Sequence, residues 1–131
     1  MLIGRFNSYI MDYKNIMNIP YNFHYAKLAR NLSQHKKPMG AAIFRHGKLI
    51  SIGCNIQKTH PQFTNLYSIH AEIKAIISAQ TNLDGCDIYV YRQNKNGHLA
   101  MAKPCTTCQQ MIIEAGIRRV FYTDNEGYKE L

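Results

Sequence analysis

Apolar residues recur at helical spacing in several segments of the chain. The first such segment follows Pro20 and covers 21–37, with Asn22 in a position to cap the helix. Its periodic apolar side chains are Phe23, Ala26, Leu28, Ala29 and Leu32. Spacing of three and four residues places these side chains on one face, so the segment predicts an amphipathic helix packed against the rest of the domain.

Two later segments also show helical periodicity. One covers 70–80, in which Ile73, Ile76 and Ile77 continue a helical spacing of apolar residues that starts at Ile69. The other covers 105–116, with Met111 and Ile112 expected in the core. Glycine readily adopts the left-handed backbone conformation with which many helices end, so Gly116 marks the predicted end of this helix.

Runs of β-branched and aromatic residues predict strands between these helices. Residues 40–55 contain two such runs on either side of His46-Gly47, a dipeptide that favours a tight turn, so the segment predicts a β-hairpin. Two further strands are predicted at 86–92 and at 117–123, the second of which is expected to close the sequence of elements.

Two segments lack periodicity and are predicted to be loops, 56–67 and 93–103. A helix precedes each of the last two predicted strands, and this order favours an α/β fold with a sheet between layers of helices. We expect a single domain over 1–131, in which 1–20 is an N-terminal extension that packs its Ile, Met and Tyr side chains onto the domain.

The segment 1–20 lacks the basic and then apolar regions of a secretory signal, and no apolar run reaches membrane-spanning length. We therefore expect a cytoplasmic protein without a membrane partner. In a reducing compartment the four cysteines would be free thiols or metal ligands rather than disulfides. These cysteines are Cys54, Cys86, Cys105 and Cys108.

The balance of charges points to an anionic partner. The formal net charge is +8, from 16 Lys and Arg residues against 8 Asp and Glu residues. Such a bias suits either a nucleotide or a nucleic acid. Lys58, His60 and Lys103 flank the site described next. They are candidates for a phosphate contact, and equally could be ordinary charges of exposed loops.

Cys105 and Cys108 lie three positions apart at the start of a predicted helix, which places both sulfurs on one side of its first turn. We expect the helix N-terminus to lower the pKa of these thiols and so to supply thiolates at neutral pH. Together with the imidazole of His70 they provide three ligands for one Zn²⁺ ion per chain. The fourth tetrahedral position is then open to water, as in catalytic zinc sites.

Glu72 follows His70 by two positions, too close for both to bind the same metal comfortably on a helix. It can instead act as the catalytic proton carrier, taking a proton from the metal-activated water and delivering it to a ring nitrogen and then to a departing amine. Two other interpretations of the cysteines stay open, a dithiol redox pair and a closed structural zinc site completed by Cys54. Neither gives Glu72 a function.

The segments His70–Glu72 and Pro104–Cys108 resemble the H-x-E and P-C-x-x-C signature of the zinc-dependent nucleobase deaminases. On these motifs the chain is identified as a member of the cytidine and deoxycytidylate deaminase superfamily. The resemblance extends from about Lys36 to Thr123.

The resemblance implies a three-layer α/β/α sandwich with a mixed five-stranded sheet, one strand of which is not placed by the sequence, and zinc held at two helix N-termini. It also implies a homo-oligomer and substrate contacts at three positions. These are Asn55, in a Gly-x-Asn setting after the second strand, the backbone around Ala71, and Pro104. Asn55 could also be no more than a turn residue at a strand end.

The chain departs from one pattern within the superfamily. Deoxycytidylate deaminases commonly read H-A-E-x-N, whereas this chain has Lys74 at the last of these positions, and it lacks the extra zinc-binding insertion of some of those enzymes. The deoxycytidylate subclass therefore stays undecided.

We expect hydrolytic deamination of cytosine to uracil in a free nucleoside or nucleotide. One alternative is deamination of cytosine or adenine in single-stranded DNA or RNA, which the charge of +8 favours. Another is a non-catalytic zinc-binding adaptor for nucleic acid or protein, and the presence of Glu72 counts against it.

Overall fold

A mixed β-sheet forms the centre of the domain in the computed structural model, which describes residues 19–59 and 66–131. The described helices are α1 (Phe23–Asn31), α2 (Ala71–Ala79) and α3 (Thr106–Glu114). The described strands are β1 (Met39–Arg45), β2 (Lys48–Cys54), β3 (Ile56–Thr59), β4 (Leu66–Ile69), β5 (Asp87–Arg92), β6 (Arg119–Asp124) and β7 (Gly127–Glu130).

Five of these strands form one sheet in the order β2-β1-β5-β6-β7. Strands β5 and β6 run parallel to each other, because α3 carries the chain back between them, and all other neighbours are antiparallel. The predicted mixed five-stranded sheet is therefore confirmed. None of the helices in the described ranges is long and apolar enough to span a membrane.

The two faces of the sheet are buried by different helices. Successive side chains of a strand point to opposite faces, so each central strand contributes to two cores. The core on the α1 side includes Phe23 of the helix together with Ala42, Phe44, Tyr89, Tyr91, Phe121 and Tyr128. The core on the side of α2 and α3 includes Ala71, Ala75 and Ile112 of the helices together with Ala41, Ile43, Ile88, Val90 and Val120. This alternation gives three layers, α/β/α, as predicted.

Local signals in the sequence account for several element boundaries. His46 and Gly47 both have positive φ angles, 48° and 77°, which is the backbone of a tight turn between β1 and β2. Gly116 has a φ of 81° just after α3, as predicted for a helix end. Asn22 lies at the N-cap position of α1, but its side chain makes no capping hydrogen bond, so that prediction was wrong.

Two predictions about the strands were also wrong. Part of 56–67, predicted as a loop, belongs to the two-stranded antiparallel sheet of β3 and β4, in which Ile56 pairs with Ile69. These strands have four residues each, too few for an alternating pattern to be visible in the sequence. The chain also continues after β6 into β7, which is the strand that the sequence did not place.

The expected apolar faces are only partly buried. Leu28 and Leu32 are 58% and 69% exposed, and Met111 is half-buried rather than part of the core. The N-terminal extension was expected to pack onto the domain. Most of it, 1–18, lies outside the described residues.

Two glycines let the helices approach the sheet closely. A methyl group on Gly53 of β2 would lie 2.4 Å from the backbone nitrogen of Ala75 in α2. A methyl group on Gly40 of β1 would lie 2.0 Å from the carbonyl oxygen of Ala26 in α1, on the opposite face. Both contacts involve backbone atoms that cannot rotate away, so each helix depends on one glycine for its distance from the sheet.

Replacing Gly53 by alanine should therefore push α2 away from the sheet. We expect Gly53→Ala to lower the free energy of unfolding by about 1–3 kcal/mol, the usual cost of overpacking, as measured by urea denaturation. Gly40→Ala should cost a similar amount, because its added methyl group would meet the backbone of α1. Unchanged stability of Gly53→Ala would contradict the close approach.

Candidate active site

The N-termini of α2 and α3 meet on one side of the sheet, and each begins at a predicted metal ligand. His70 is the N-cap residue of α2 and Cys105 that of α3, both with extended backbone conformation. Neither side chain makes a capping hydrogen bond to its own helix. Both side chains are therefore available for another function.

The predicted metal ligands lie close together. Nδ1 of His70 lies 3.2 Å from Sγ of Cys108 and 3.7 Å from Sγ of Cys105, and the three atoms all lie within 4.8 Å of one another. Nitrogen and sulfur ligands of a tetrahedral zinc ion are separated by about 3.6 Å, given zinc bond lengths of about 2.0 and 2.3 Å. The spacing and the chemistry of the donors thus fit zinc. Among the described residues, Cys54 does not belong to this cluster.

The protein environment alone disfavours a thiolate at Cys108. Burial raises the pKa of this thiol, and the Glu72 carboxylate and Cys105 act in the same direction. The shift is opposite to the one expected from the helix N-terminus. An anion in a poorly solvated position needs a compensating positive charge, so binding of a cation between the three ligands would be coupled to release of the thiol proton.

Glu72 lies in the first turn of α2 and is only 2% exposed. Burial raises the pKa of its carboxyl group, against smaller lowering effects from its own backbone N–H and from His70. Its Oε1 atom has no hydrogen-bond partner in the described protein. A buried polar atom without a partner costs about 1–3 kcal/mol, so this oxygen needs a partner from outside the described protein groups, such as a water molecule or a ligand.

Backbone hydrogen bonds fix the two ligand-bearing turns. The backbone N–H of Lys74 donates to the carbonyl oxygen of His70 at 3.0 Å, and that of Gln109 donates to the carbonyl oxygen of Cys105 at 2.8 Å. The side-chain amide of Gln109 also donates to the carbonyl oxygen of Pro104 at 2.8 Å. Pro104 is buried, so its peptide carbonyl needs this partner.

The loop that leads to Cys105 is tied to the end of β6 by Thr123, which is fully buried. The Thr123 hydroxyl donates to the carbonyl oxygen of Ala100 at 2.8 Å and accepts from the backbone N–H of Arg92 at 3.1 Å. The backbone N–H of Ala102 donates to the carbonyl oxygen of Thr123 at 2.8 Å. These bonds hold the loop against the ends of β5 and β6.

The sequence did not reveal Gln109 or Thr123 as supporting residues. Neither has a motif of its own, because glutamine in a helix and threonine in a strand are ordinary occupants of those elements. Their roles depend on which carbonyl groups the fold brings near them.

The predicted substrate contacts have different surroundings. Ala71 is fully buried at the first position of α2, directly between His70 and Glu72. Asn55 is only 5% exposed, and its side chain joins the 33–39 segment to the end of β2. Lys103 is exposed beside Pro104. His60 and the side chain of Lys58 lie outside the described part of the chain.

Known proteins resemble this chain in sequence and in fold. A protein of Aliivibrio fischeri described as an uncharacterized deaminase in the luxG 3′ region is 32% identical over 92 residues, which cover 63% of this chain and 56% of that protein. The match thus spans little more than half the length of this curated relative.

Solved structures of two deaminases share the fold. Cytidine deaminase from Burkholderia pseudomallei has a TM-score of 0.66 at 23% identity, covering 88% of this chain and 92% of that chain. The dCMP deaminase of cyanophage S-TIM5 in complex with dCMP and dUMP has a TM-score of 0.57 at 23% identity, covering 81% and 82%. At these identities the similarity concerns the fold alone.

The family match covers most of the chain. Residues 18–124 match the family described as the cytidine and deoxycytidylate deaminase zinc-binding region, and this range includes every ligand of the cluster. With the sheet order, the two helix N-termini and the His-Cys-Cys cluster in place, the chain belongs to the cytidine and deoxycytidylate deaminase family.

Proposed function

We propose that this protein is a zinc-dependent hydrolytic deaminase that converts cytosine to uracil in a free nucleoside or nucleotide. The observation that carries the proposal is the buried carboxyl group of Glu72, without a partner for Oε1, beside the His70, Cys105 and Cys108 cluster. A closed structural zinc site, a dithiol pair or a non-catalytic adaptor would have no use for such a carboxyl group.

His70 through Nδ1, and Cys105 and Cys108 through Sγ, would hold one zinc ion. When bound, zinc lowers the pKa of a coordinated water from about 15.7 to about 7 and so supplies a hydroxide nucleophile near neutral pH. Cys108 and Glu72 are buried, which strengthens the electrostatic interactions of both side chains, whereas His70 and Cys105 are exposed.

Glu72 would move the protons of the reaction. Its carboxylate accepts a proton from the attacking water and donates it to N3 of cytosine, while the new C–O bond forms at C4. It then transfers the second water proton to the C4 amine, the C–N bond breaks, and ammonia leaves with uracil. Because burial raises the pKa of Glu72, its protonated form is populated closer to neutrality than for an exposed glutamate, which suits a group that must both take and give protons.

Two observations bear on the substrate class, the similarity to a deaminase solved with nucleotides and the net charge of the chain. The cyanophage dCMP deaminase was solved with dCMP and dUMP, and this similarity supports a small nucleotide for the present chain. Asn55, the Ala71 backbone and Pro104 are proposed to contact the substrate, with Lys103 or Lys58 near a phosphate. The net charge of +8 favours a second candidate, a cytosine or adenine base in single-stranded nucleic acid. A homo-oligomer stays a prediction from the family resemblance.

We expect one tightly bound zinc ion per chain, because one imidazole nitrogen and two cysteine sulfurs, all of them common zinc ligands, already lie close together. Elemental analysis of the purified protein should give one zinc, and Cys108→Ala should lose most of it. Cys54→Ala is the control, because it removes the ligand that a closed site would need and should keep full zinc. Full occupancy in Cys108→Ala would refute the ligand assignment.

Replacing Glu72 by glutamine or alanine should remove nearly all turnover while zinc content and folding are kept. Positioned proton carriers typically contribute a factor of about 100 to 10,000 to the rate. Ammonia release from cytidine and dCMP is the measurement, and Glu114→Gln, an exposed glutamate on α3, is the matched control. A Glu72 variant that lost its zinc, or one with near-normal activity, would contradict the proposed mechanism.

Salt dependence should separate the two substrate classes. A mononucleotide carries its phosphate charge at one site and engages one or two basic groups, so kcat/KM for dCMP should change little between about 50 and 200 mM salt. Cytidine, which lacks the phosphate, is the neutral control. We expect turnover of a free cytosine nucleotide to match or exceed that of a short single strand. Strand deamination that falls steeply with salt, with negligible turnover of free nucleotides, would support the second candidate instead.

A further inference from the structure

A basic cleft of about 630 Å³ lies between the segment after α1 and the loop after β5. Its positively charged lining consists of Arg30, Lys36, Lys37, Arg92 and Lys95, with His35 beside them. The rest of its lining is Pro38 and the amide side chains of Gln93 and Asn94. Among the described residues no carboxylate lines the cleft, so the charged side chains in its described lining are all cationic.

Within residues 19–59 and 66–131, no acidic side chain forms an ion pair with a cation of the basic cleft. The ion pairs found in the described ranges use Arg118, Arg119 and Lys129, none of which lines the cleft. Arg30 donates to the carbonyl oxygen of Gln93 at 3.2 Å, but its buried Nε has no partner among the described residues. Like charges that converge without a counter-ion repel one another, and a bound anion relieves that repulsion.

One wall of the cleft is held rigidly by Asn55. Its Oδ1 accepts from the Ser33 hydroxyl at 2.7 Å and from the backbone N–H of Met39 at 2.8 Å, and its Nδ2 donates to the carbonyl oxygen of Lys37 at 2.8 Å. The exposed lysines at 36 and 37 therefore project from a fixed backbone. A fixed backbone lowers the entropy cost of binding a ligand.

The other wall is connected to the loop of the candidate active site. Arg92, at the end of β5, donates through Nη1 to the carbonyl oxygen of Met101 at 3.2 Å. Met101 lies four positions before Cys105, in the loop that leads to α3. The first wall leads to Asn55, a proposed substrate contact. Each wall of the cleft is thus joined to a segment that carries a proposed residue of the active site.

We propose that the basic cleft binds consecutive phosphates of a single-stranded nucleic acid. A single phosphate needs one or two of these cations, whereas five cations along a concave surface match a backbone that carries one charge per nucleotide. Arginine and lysine are the side chains that nucleic-acid backbones most often contact. This inference concerns binding only, so it goes beyond the proposed reaction and does not depend on turnover.

The test is fluorescence anisotropy with a labelled single-stranded oligodeoxynucleotide of about a dozen nucleotides, titrated at several salt concentrations. We expect the wild-type protein to bind, with the log of the binding constant falling steeply against the log of the salt concentration. Lys36→Ala/Lys37→Ala and Lys95→Ala should each reduce that slope by about 0.7 for every phosphate contact removed. The melting temperature of each variant shows that it is folded.

Lys48→Ala is the matched control, because this exposed lysine lies beside the hairpin turn at the opposite end of β1 from the cleft. It should leave the slope unchanged. Absence of binding at low salt, or equal slopes in the cleft variants and the wild type, would overturn the proposal. So would displacement of the strand by an equal phosphate concentration of a nucleoside triphosphate, or by an acidic peptide. Glu72→Gln should bind the strand as the wild type does. Failure of strand binding can therefore be told apart from failure of the proposed reaction.

Discussion

The close contact of α2 with β2 determines where the chemistry of this protein can take place. Gly53 has no side chain, so the backbone of α2 around Ala71 and Ala75 lies directly against the sheet. This contact places the N-terminus of α2, with His70 and Glu72, beside the N-terminus of α3. A larger residue at position 53 would separate the two helix ends, and the distances of 3.2 and 3.7 Å between the ligand atoms depend on their separation.

The sequence was most informative where a local pattern and a chemical motif coincided. The helices at 70–80 and 105–116 were predicted from apolar spacing, and the same segments began with the residues of the two motifs. The hairpin at His46-Gly47 was predictable for a similar reason, because few dipeptides favour positive φ at consecutive positions. The run of β-branched and aromatic residues in 86–92 correctly indicated a strand, and the structure buries four consecutive residues of it.

The remaining features depend on contacts between distant parts of the chain. Strands β3 and β4 pair over four residues, and β7 is defined by its pairing with β6, so neither carries enough pattern to be recognised alone. The exposure of Leu28 and Leu32 could not be predicted, since their spacing is that of a buried face. The pKa of Cys108 likewise reflects its burial in the tertiary structure, which outweighs the expected effect of the helix end.

The position of β5 has a consequence for the order in which the protein can assemble. His70 precedes this strand in the chain and both cysteines follow it, while β5 itself lies between β1 and the parallel strand β6. Pairing of parallel strands requires a long crossover and is among the slower events of folding. The native geometry of the cluster therefore depends on assembly of the middle of the sheet. A metal ion that binds this geometry would stabilise correctly assembled chains.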